Sequence, residues 1–250
     1  MYSVIKISYE ETKPFILNMH YLKRMPSISY SYGLFDKQDE CIVGVVTFGK
    51  PASRSLCVGI LGKQHADKIY ELNRLILNDD LPHNSSSYLV GNALKDMKKD
   101  NLCIVSYSDL GMNHHGYTYQ ALNFMYTGTT KTRTDRYANG NHCRHYDKTK
   151  PEIYRVLRTS KNRYVYFNCN KRIKKIYMDC LNYEILDYPK GQNERYELGT
   201  KNTVYLKVIA TGEIIKEKDK PEDNKKIIKQ ESPIVRTKPR NHNCSPSESV

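Results

Sequence analysis

No two of the seven cysteines in this 250-residue chain form a CxxC pair. Cys41, Cys57, Cys103, Cys143, Cys169, Cys180 and Cys244 are scattered and odd in number. That argues against a disulfide framework and against a zinc ribbon, and fits a reducing compartment. No run of about 18 apolar residues occurs, and no basic-then-apolar leader follows Met1, so a membrane span and a secretion signal are not expected. A cytoplasmic location is. The P-loop pattern and a GxGxxG after a strand are also missing, which disfavours nucleotide cofactors held in those ways. Apolar residues make up only 39% of the chain and the mean hydropathy is -0.69. Part of the chain is therefore expected not to pack.

What the sequence does hold is positive charge, placed unevenly. Of the net +13, residues 1–130 contribute +1, 176–211 contribute -1 and 212–250 contribute +2. Residues 131–175 carry fourteen Lys and Arg against three Asp and Glu. A solvated surface interleaves both signs, so this concentration points to a polyanion partner.

Hydrophobic patterning predicts a strand at Ser3–Tyr9, a helix at Lys13–Tyr21, and a hairpin of Tyr30–Phe35 with Cys41–Phe48. A short helix then runs into a strand at Glu71–Leu77. The break at Pro82–Ser87 suits a helix N-cap, with the helix at Ser87–Lys98. A strand at Leu102–Ser106 and a helix at Tyr117–Tyr126 follow. Strand, helix, strand, helix over 71–128 implies parallel strands. Beyond Gly128, Thr129–Tyr146 reads as a loop or arm, with strands at Arg163–Asn168, Lys174–Tyr177 and Thr203–Ile209. The charged, proline-containing stretch from about Glu213 reads as a disordered tail. The expected division is a core at 1–130, a basic extension at 131–211 that completes the sheet, and a tail at 212–250.

Five constellations bear on chemistry. Asn84, Ser85, Ser86 and Ser87 open a helix, where free N–H groups and the dipole attract an anion; an ordinary N-cap explains them equally well. Ser106-Tyr107-Ser108-Asp109 ends a parallel strand where open sheets place ligands, and His114-His115 follows with groups that titrate near neutrality. His20-Tyr21-Leu22-Lys23-Arg24 packs an imidazole, a phenol and two cations ahead of Pro26. Asn141-His142-Cys143-Arg144-His145 has ligand-type residues without a second cluster at zinc spacing. Finally, Arg158 to Phe167 interleaves cations with Tyr164 and Tyr166, which offer faces on which bases stack.

Several motifs occur in an order that resembles one family, the Mom proteins of bacteriophages. They are His20-Tyr21 through Arg24-Met25-Pro26, Gly44-Val45-Val46-Thr47-Phe48-Gly49-Lys50-Pro51, and Glu71-Leu72-Asn73-Arg74-Leu75. Next come Asn84-Ser85 with Ser87, Ser106-Tyr107-Ser108-Asp109, and His115-Gly116 with Tyr119-Gln120-Ala121. Ser160-Lys161 with Arg163-Tyr164 and Tyr188-Pro189-Lys190-Gly191 complete the set, which spans roughly residues 18–200. The resemblance implies an α/β (α+β) fold like that of GNAT acyltransferases: a mixed, partly parallel sheet flanked by helices, extended here by the basic segment and the tail. It implies conversion of adenine in phage DNA to N6-carbamoylmethyladenine in the host cytoplasm, protecting that DNA from restriction.

Under that resemblance Asp109, His20, Tyr21, Ser87 and His115 are the candidate catalytic residues, and Asn84, Ser85, Ser86 and Ser87 hold the donor. Arg133, Arg136, Arg144, Arg158, Lys161, Arg163, Tyr164 and Tyr166 are the candidates for gripping double-stranded DNA. The donor, a small molecule or a carrier-bound group, is left open: acetyl-CoA or another acyl or aminoacyl donor. A metal ion is left open as well. One departure stands out, since the Arg/Gln-x-x-Gly-x-Gly/Ala loop usual in GNAT enzymes is replaced by Pro82–Ser87. The rival readings are a non-catalytic DNA-binding phage protein and an acyltransferase acting on RNA or protein.

Overall fold

A computed structural model describes residues 1–220, apart from residues 140, 142, 150, 193, 195, 196 and 201 and the side chain of Arg144. The chain opens with strand β1 (Tyr2–Lys6) and helix α1 (Tyr9–Pro14). A capping box starts α1: Ser8 accepts from the Glu11 N–H, and the Glu11 carboxylate reaches back to the Ser8 N–H at 2.7 Å. After Pro14 one wide π-helical turn, Phe15–Met19, delivers the chain to His20.

The hairpin of β2 (Tyr30–Asp36) and β3 (Cys41–Gly49) follows, then helix α2 (Arg54–Leu61), capped by the Ser53 hydroxyl. Strand β4 (Ile69–Leu77) leads through helix α3 (Ser85–Met97) to strand β5 (Leu102–Asp109). Helix α4 (Tyr117–Ala121) and strands β6 (Met125–Thr129), β7 (Arg133–Arg136), β8 (Tyr154–Arg158) and β9 (Lys161–Asn168) come next. Helix α5 (Lys171–Asp179) and strands β10 (Tyr205–Val208) and β11 (Ile214–Lys216) end the described chain.

Seven strands form one sheet in the order β1-β2-β3-β4-β5-β9-β6, and four form a second, β11-β10-β8-β7. Every pairing is antiparallel except β4 with β5. Strand alternation sorts the core. Leu102 and Ile104 pack with Leu89, Val90, Ala93 and Met97 of α3 on one face, while Cys103 and Val105 meet Cys57, Ile60 and Leu61 of α2 and Tyr177 of α5 on the other. Phe15, Ile16 and Met19 close a third cluster over Ile42, Val45 and Ile76. Gly49 has no room for a side chain: a Cβ there would overlap the Ser27 carbonyl oxygen and lie 2.7 Å from its carbon.

One feature of the sheet places the site. β4 and β5 pair only from Ile69↔Cys103 to Leu72↔Ser106. At the last rung the Ser106 hydroxyl donates to the Leu72 carbonyl at 3.0 Å. Past it, β4 stays with β3 as far as Leu77↔Gly44, and β5 stays with β9 as far as Asp109↔Lys161. The sheet splits into two wings.

The mixed, partly parallel α+β architecture is the one expected. Several local expectations are corrected. The segment Lys174–Tyr177 is helix α5, not a strand, because Ile173 and Tyr177, four apart, bury one face while lysines cover the other. The helix expected to reach Tyr126 stops at Ala121; Asn123 takes φ 58°, and the chain returns as β6. Thr129–Tyr146 is not all arm, since β7 lies within it and pairs with β8. Helix α2 was not anticipated, although Ser53 followed by Leu56, Cys57, Ile60 and Leu61 is a capped helical spacing. The disorder expected from Glu213 is overturned for the first residues, where β11 pairs with β10; residues 221–250 lie outside those described.

Candidate active site

Because the strands run parallel, the carboxyl halves of β4 and β5 and the start of α3 share one end of the sheet. Asp109 closes β5 there, 6% exposed. Its carboxylate takes the Lys161 ammonium at 2.9 Å, the Thr159 hydroxyl at 2.6 Å and the Gly111 N–H at 3.0 Å. Burial alone would raise its pKa, but the Lys161 charge, the two side-chain hydrogen bonds and the Gly111 N–H outweigh it and hold it below the usual aspartate value. Asp109 is thus a fixed carboxylate.

His20, also 6% exposed, sits where the π-helical turn ends. Burial, helped by the charges of Arg74, Lys161 and His114, lowers its pKa to about 2, so the ring is neutral. Its Nδ1 accepts the Leu22 N–H at 3.0 Å. That bond leaves the proton on Nε2, which makes His20 a donor there rather than a base. Tyr21 stacks on the ring, centroids 4.3 Å apart.

Glu71 lies at the fork, in register with Val105 on the last rungs before the wings part. Burial raises its pKa, opposed by Arg74 and Lys161. Its charge in turn is felt by Tyr107, whose hydroxyl burial pushes up. Arg74, buried beside it, donates to the Arg24 carbonyl at 2.9 Å, which ties β4 to the segment after His20. His114 is lowered by burial even though Asp109 pulls it upward. His20, Glu71, Arg74, Asp109, His114 and Lys161 therefore form one electrostatic cluster.

The structure places the other sequence candidates differently. His115 faces Gly191, and its carbonyl accepts the Tyr164 hydroxyl. His114 joins the electrostatics of Asp109 and His20. The hydroxyls of Ser85 and Ser87 donate to the Pro82 and Asn84 carbonyls at 2.7 and 2.9 Å, and that of Ser86 meets Thr118. Asn84, at φ 67°, gives no side-chain cap. The first turn of α3 contains no acidic residue, and its N–H groups receive no side-chain cap among the described residues. An anionic group fits such a helix end. Glu71 and Arg74 were not among the expected site residues, although they stand in one of the resemblance motifs and are charges set inside an apolar strand.

The expected DNA-facing residues are mostly engaged within the protein. Tyr164 is 0% exposed and offers no face to a base, so its assignment as a stacking residue is corrected: strand alternation turns it into the α3 core. Arg163 is held by the Thr127 hydroxyl and carbonyl and lies 3.4 Å from the Tyr183 ring centroid. Arg158 pairs with Asp135 at 2.8 Å, Arg133 with the same carboxylate at 3.6 Å, and Arg136 with Glu152 at 3.9 Å. Tyr166 is half-buried on Phe124. The Arg144 side chain and His142 lie outside the described residues. Among those described, no three His, Cys, Asp or Glu side chains converge as a metal site.

The sequence profile of the Mom protein family matches residues 1–190. Methylcarbamoylase mom of Escherichia phage Mu is 30% identical over 118 residues, which cover 46% of this chain and 48% of that protein. The match thus spans about half of the relative's length. Among solved structures, the chain is similar to an N-acetyltransferase from Staphylococcus aureus Mu50, at 11% identity and TM-score 0.43, over 67% of this chain and 99% of that one. It is also similar to the ribosomal-protein-S18-alanine N-acetyltransferase from Escherichia coli, at 7% identity and TM-score 0.41, over 68% and 96%.

Proposed function

This chain belongs to the Mom protein family, and from that premise we propose that it is a transferase acting on the exocyclic N6 of adenine in double-stranded DNA. The product we assign is N6-carbamoylmethyladenine, a modification that shields phage DNA from restriction. The observation that carries the reading is the split between β4 and β5, where Glu71 lies at the fork and the Asp109–Lys161 pair closes β5, both in one electrostatic cluster with His20 and Arg74. A DNA-binding protein without a reaction gains nothing from burying charges there.

Each group has a task that follows from its state. An adenine N6 must shed a proton as its new N–C bond forms. Glu71, with its pKa raised by burial, suits a proton acceptor better than Asp109, whose pKa is held down. Neutral His20 donates a hydrogen bond from Nε2 and so orients a ring nitrogen or a carbonyl oxygen. Asp109 and Lys161 hold each other in place, with Lys161 left partly exposed toward a polyanion. The turn Asn84–Ser87 would receive the anionic part of the donor, which when bound would supply the electrophilic carbon and depart as the leaving group with the electron pair of the bond that breaks.

The test is mass spectrometry of nucleosides from DNA of cells that express the intact chain, Glu71→Gln or Asp109→Ala. The intact chain is expected to yield the modified adenosine and both variants little or none. An unmodified adenine pool with the intact chain overturns the proposal.

A further inference from the structure

At the far end of β9 from Lys161, a cavity of about 240 Å³ is lined by Lys98, Lys171, Lys174, Tyr166, Asn123 and Asn168 among others, with no Asp or Glu. The three lysines come from two elements, α5 and the turn after α3, yet converge: Lys98 and Lys174 both act on the Cys169 thiol. None of the three has a carboxylate in ion-pair range among the described residues. The acids nearest in sequence to Lys98 are already engaged, Asp96 by Lys6 at 2.9 Å and by the Tyr32 hydroxyl at 2.7 Å, and Asp100 by the Tyr30 hydroxyl.

This end therefore differs from the second sheet, where arginines are neutralised by Asp135 and Glu152. Between Lys161 and Lys175 the chain holds six Lys and Arg and no acid. Tyr166 adds a ring fixed by stacking on Phe124, centroids 4.9 Å apart. Unneutralised ammonium groups around a concave wall with one aromatic face match a phosphodiester with its sugar or base, not an apolar ligand.

We infer that this Lys98–Lys171–Lys174 pocket is a second DNA contact, gripping backbone phosphates remote from the reacting adenine. The inference rests on the DNA reading above. β9 spans eight residues from Lys161 to Asn168, which at strand rise is about 23 Å. At about 3.4 Å per base pair, the pocket meets the duplex some six or seven base pairs from the target. Its role is to set register and affinity, while the split performs the chemistry.

The test compares the full chain with Lys171→Gln/Lys174→Gln, changes on an exposed helix face that keep good helix formers. Binding is measured from about 50 to 200 mM salt on duplexes that extend about three or about ten base pairs past the adenine. Two lost phosphate contacts lower the log–log salt slope by about 2, so the affinity ratio of wild type to variant shrinks about tenfold over that range. The loss is expected on the long duplex and not on the short one.

Equal slopes and affinities on the long duplex overturn the inference. So does a loss confined to free mononucleotide, which would make the pocket a nucleotide site. A wild type that fails to bind duplex overturns both this inference and the enzyme reading. One that binds but leaves adenine unmodified overturns the enzyme reading alone, and the slope comparison still decides the pocket.

Discussion

His20→Asn separates the electrostatic state of the site from its packing. In the folded chain His20 has its pKa lowered to about 2, chiefly by burial and then by Arg74, Lys161 and His114. In the unfolded chain it titrates near 6.5. Below that value the unfolded chain takes up a proton that the folded chain refuses. A depressed folded pKa thus contributes stability that is fully present above pH 6.5 and is lost as pH falls toward 2. The loss is about 1.4 kcal/mol per pH unit, or on the order of 2–3 kcal/mol between pH 6.5 and 4.5. With His20 only 6% exposed, solvent screening takes little from that figure.

Asparagine offers its Oδ1 to the Leu22 N–H where Nδ1 did, and it does not titrate. Its lost stacking on Tyr21 is the same at every pH and drops out of the slope. Urea denaturation of both proteins from pH 7.5 to 4.5 should show a wild type that is steeper by one proton's worth, so the two curves converge as the medium is acidified. In thermal scans the differential amounts to roughly 5–10 °C for a chain of this size. Parallel pH dependences would refute a neutral, buried His20.

The other expectations are simpler. Asp109→Asn keeps acceptors for Thr159 and Gly111 but breaks the pair with Lys161. It should lower stability at pH 7 by about 1–2 kcal/mol, a charged hydrogen bond discounted because Lys161 is a third exposed, and should abolish modification while DNA binding persists. The stability difference should fade as pH drops below the ordinary aspartate range, because a depressed carboxyl pKa gives stability only above it; calorimetry at descending pH checks this. Gly49→Ala should lose about 3 kcal/mol or fail to fold, since the new Cβ meets the Ser27 carbonyl; a midpoint unchanged in urea would contradict the fit.

The elements read correctly from sequence are those whose patterning is local. The β2–β3 hairpin announces itself by two apolar runs around a charged turn, and α3 by Leu89, Ala93, Leu94 and Met97. Where partners lie far away, the pattern misled. The run Lys174–Tyr177 looks like a strand until α5 is seen to need only Ile173 and Tyr177 inside. The arm around β7 looks unpacked until β8 supplies its hydrogen bonds. Asp109 and His20 were legible as unusual residues, but their states were not. No spacing reveals that Lys161, 52 positions on, closes over Asp109, or that burial, helped by Arg74, keeps His20 neutral. Tyr164 shows the converse, an aromatic among cations whose neighbours in space are all core.

The order of the main sheet, with β9 wedged between β5 and β6, fixes the order in which the molecule can be finished. Both neighbours leave the ribosome before β9 exists, so the wing beyond β4 first emerges with a gap. Until β9 is available β5 presents an open edge, and until Lys161 at its start is made Asp109 lacks that counter-ion. Threading β9 into that gap completes the wing and neutralises its buried carboxylate in one event. The buried pair is therefore assembled only once β9 has been made, and a nascent chain that stalls before β9 carries the acid without its partner.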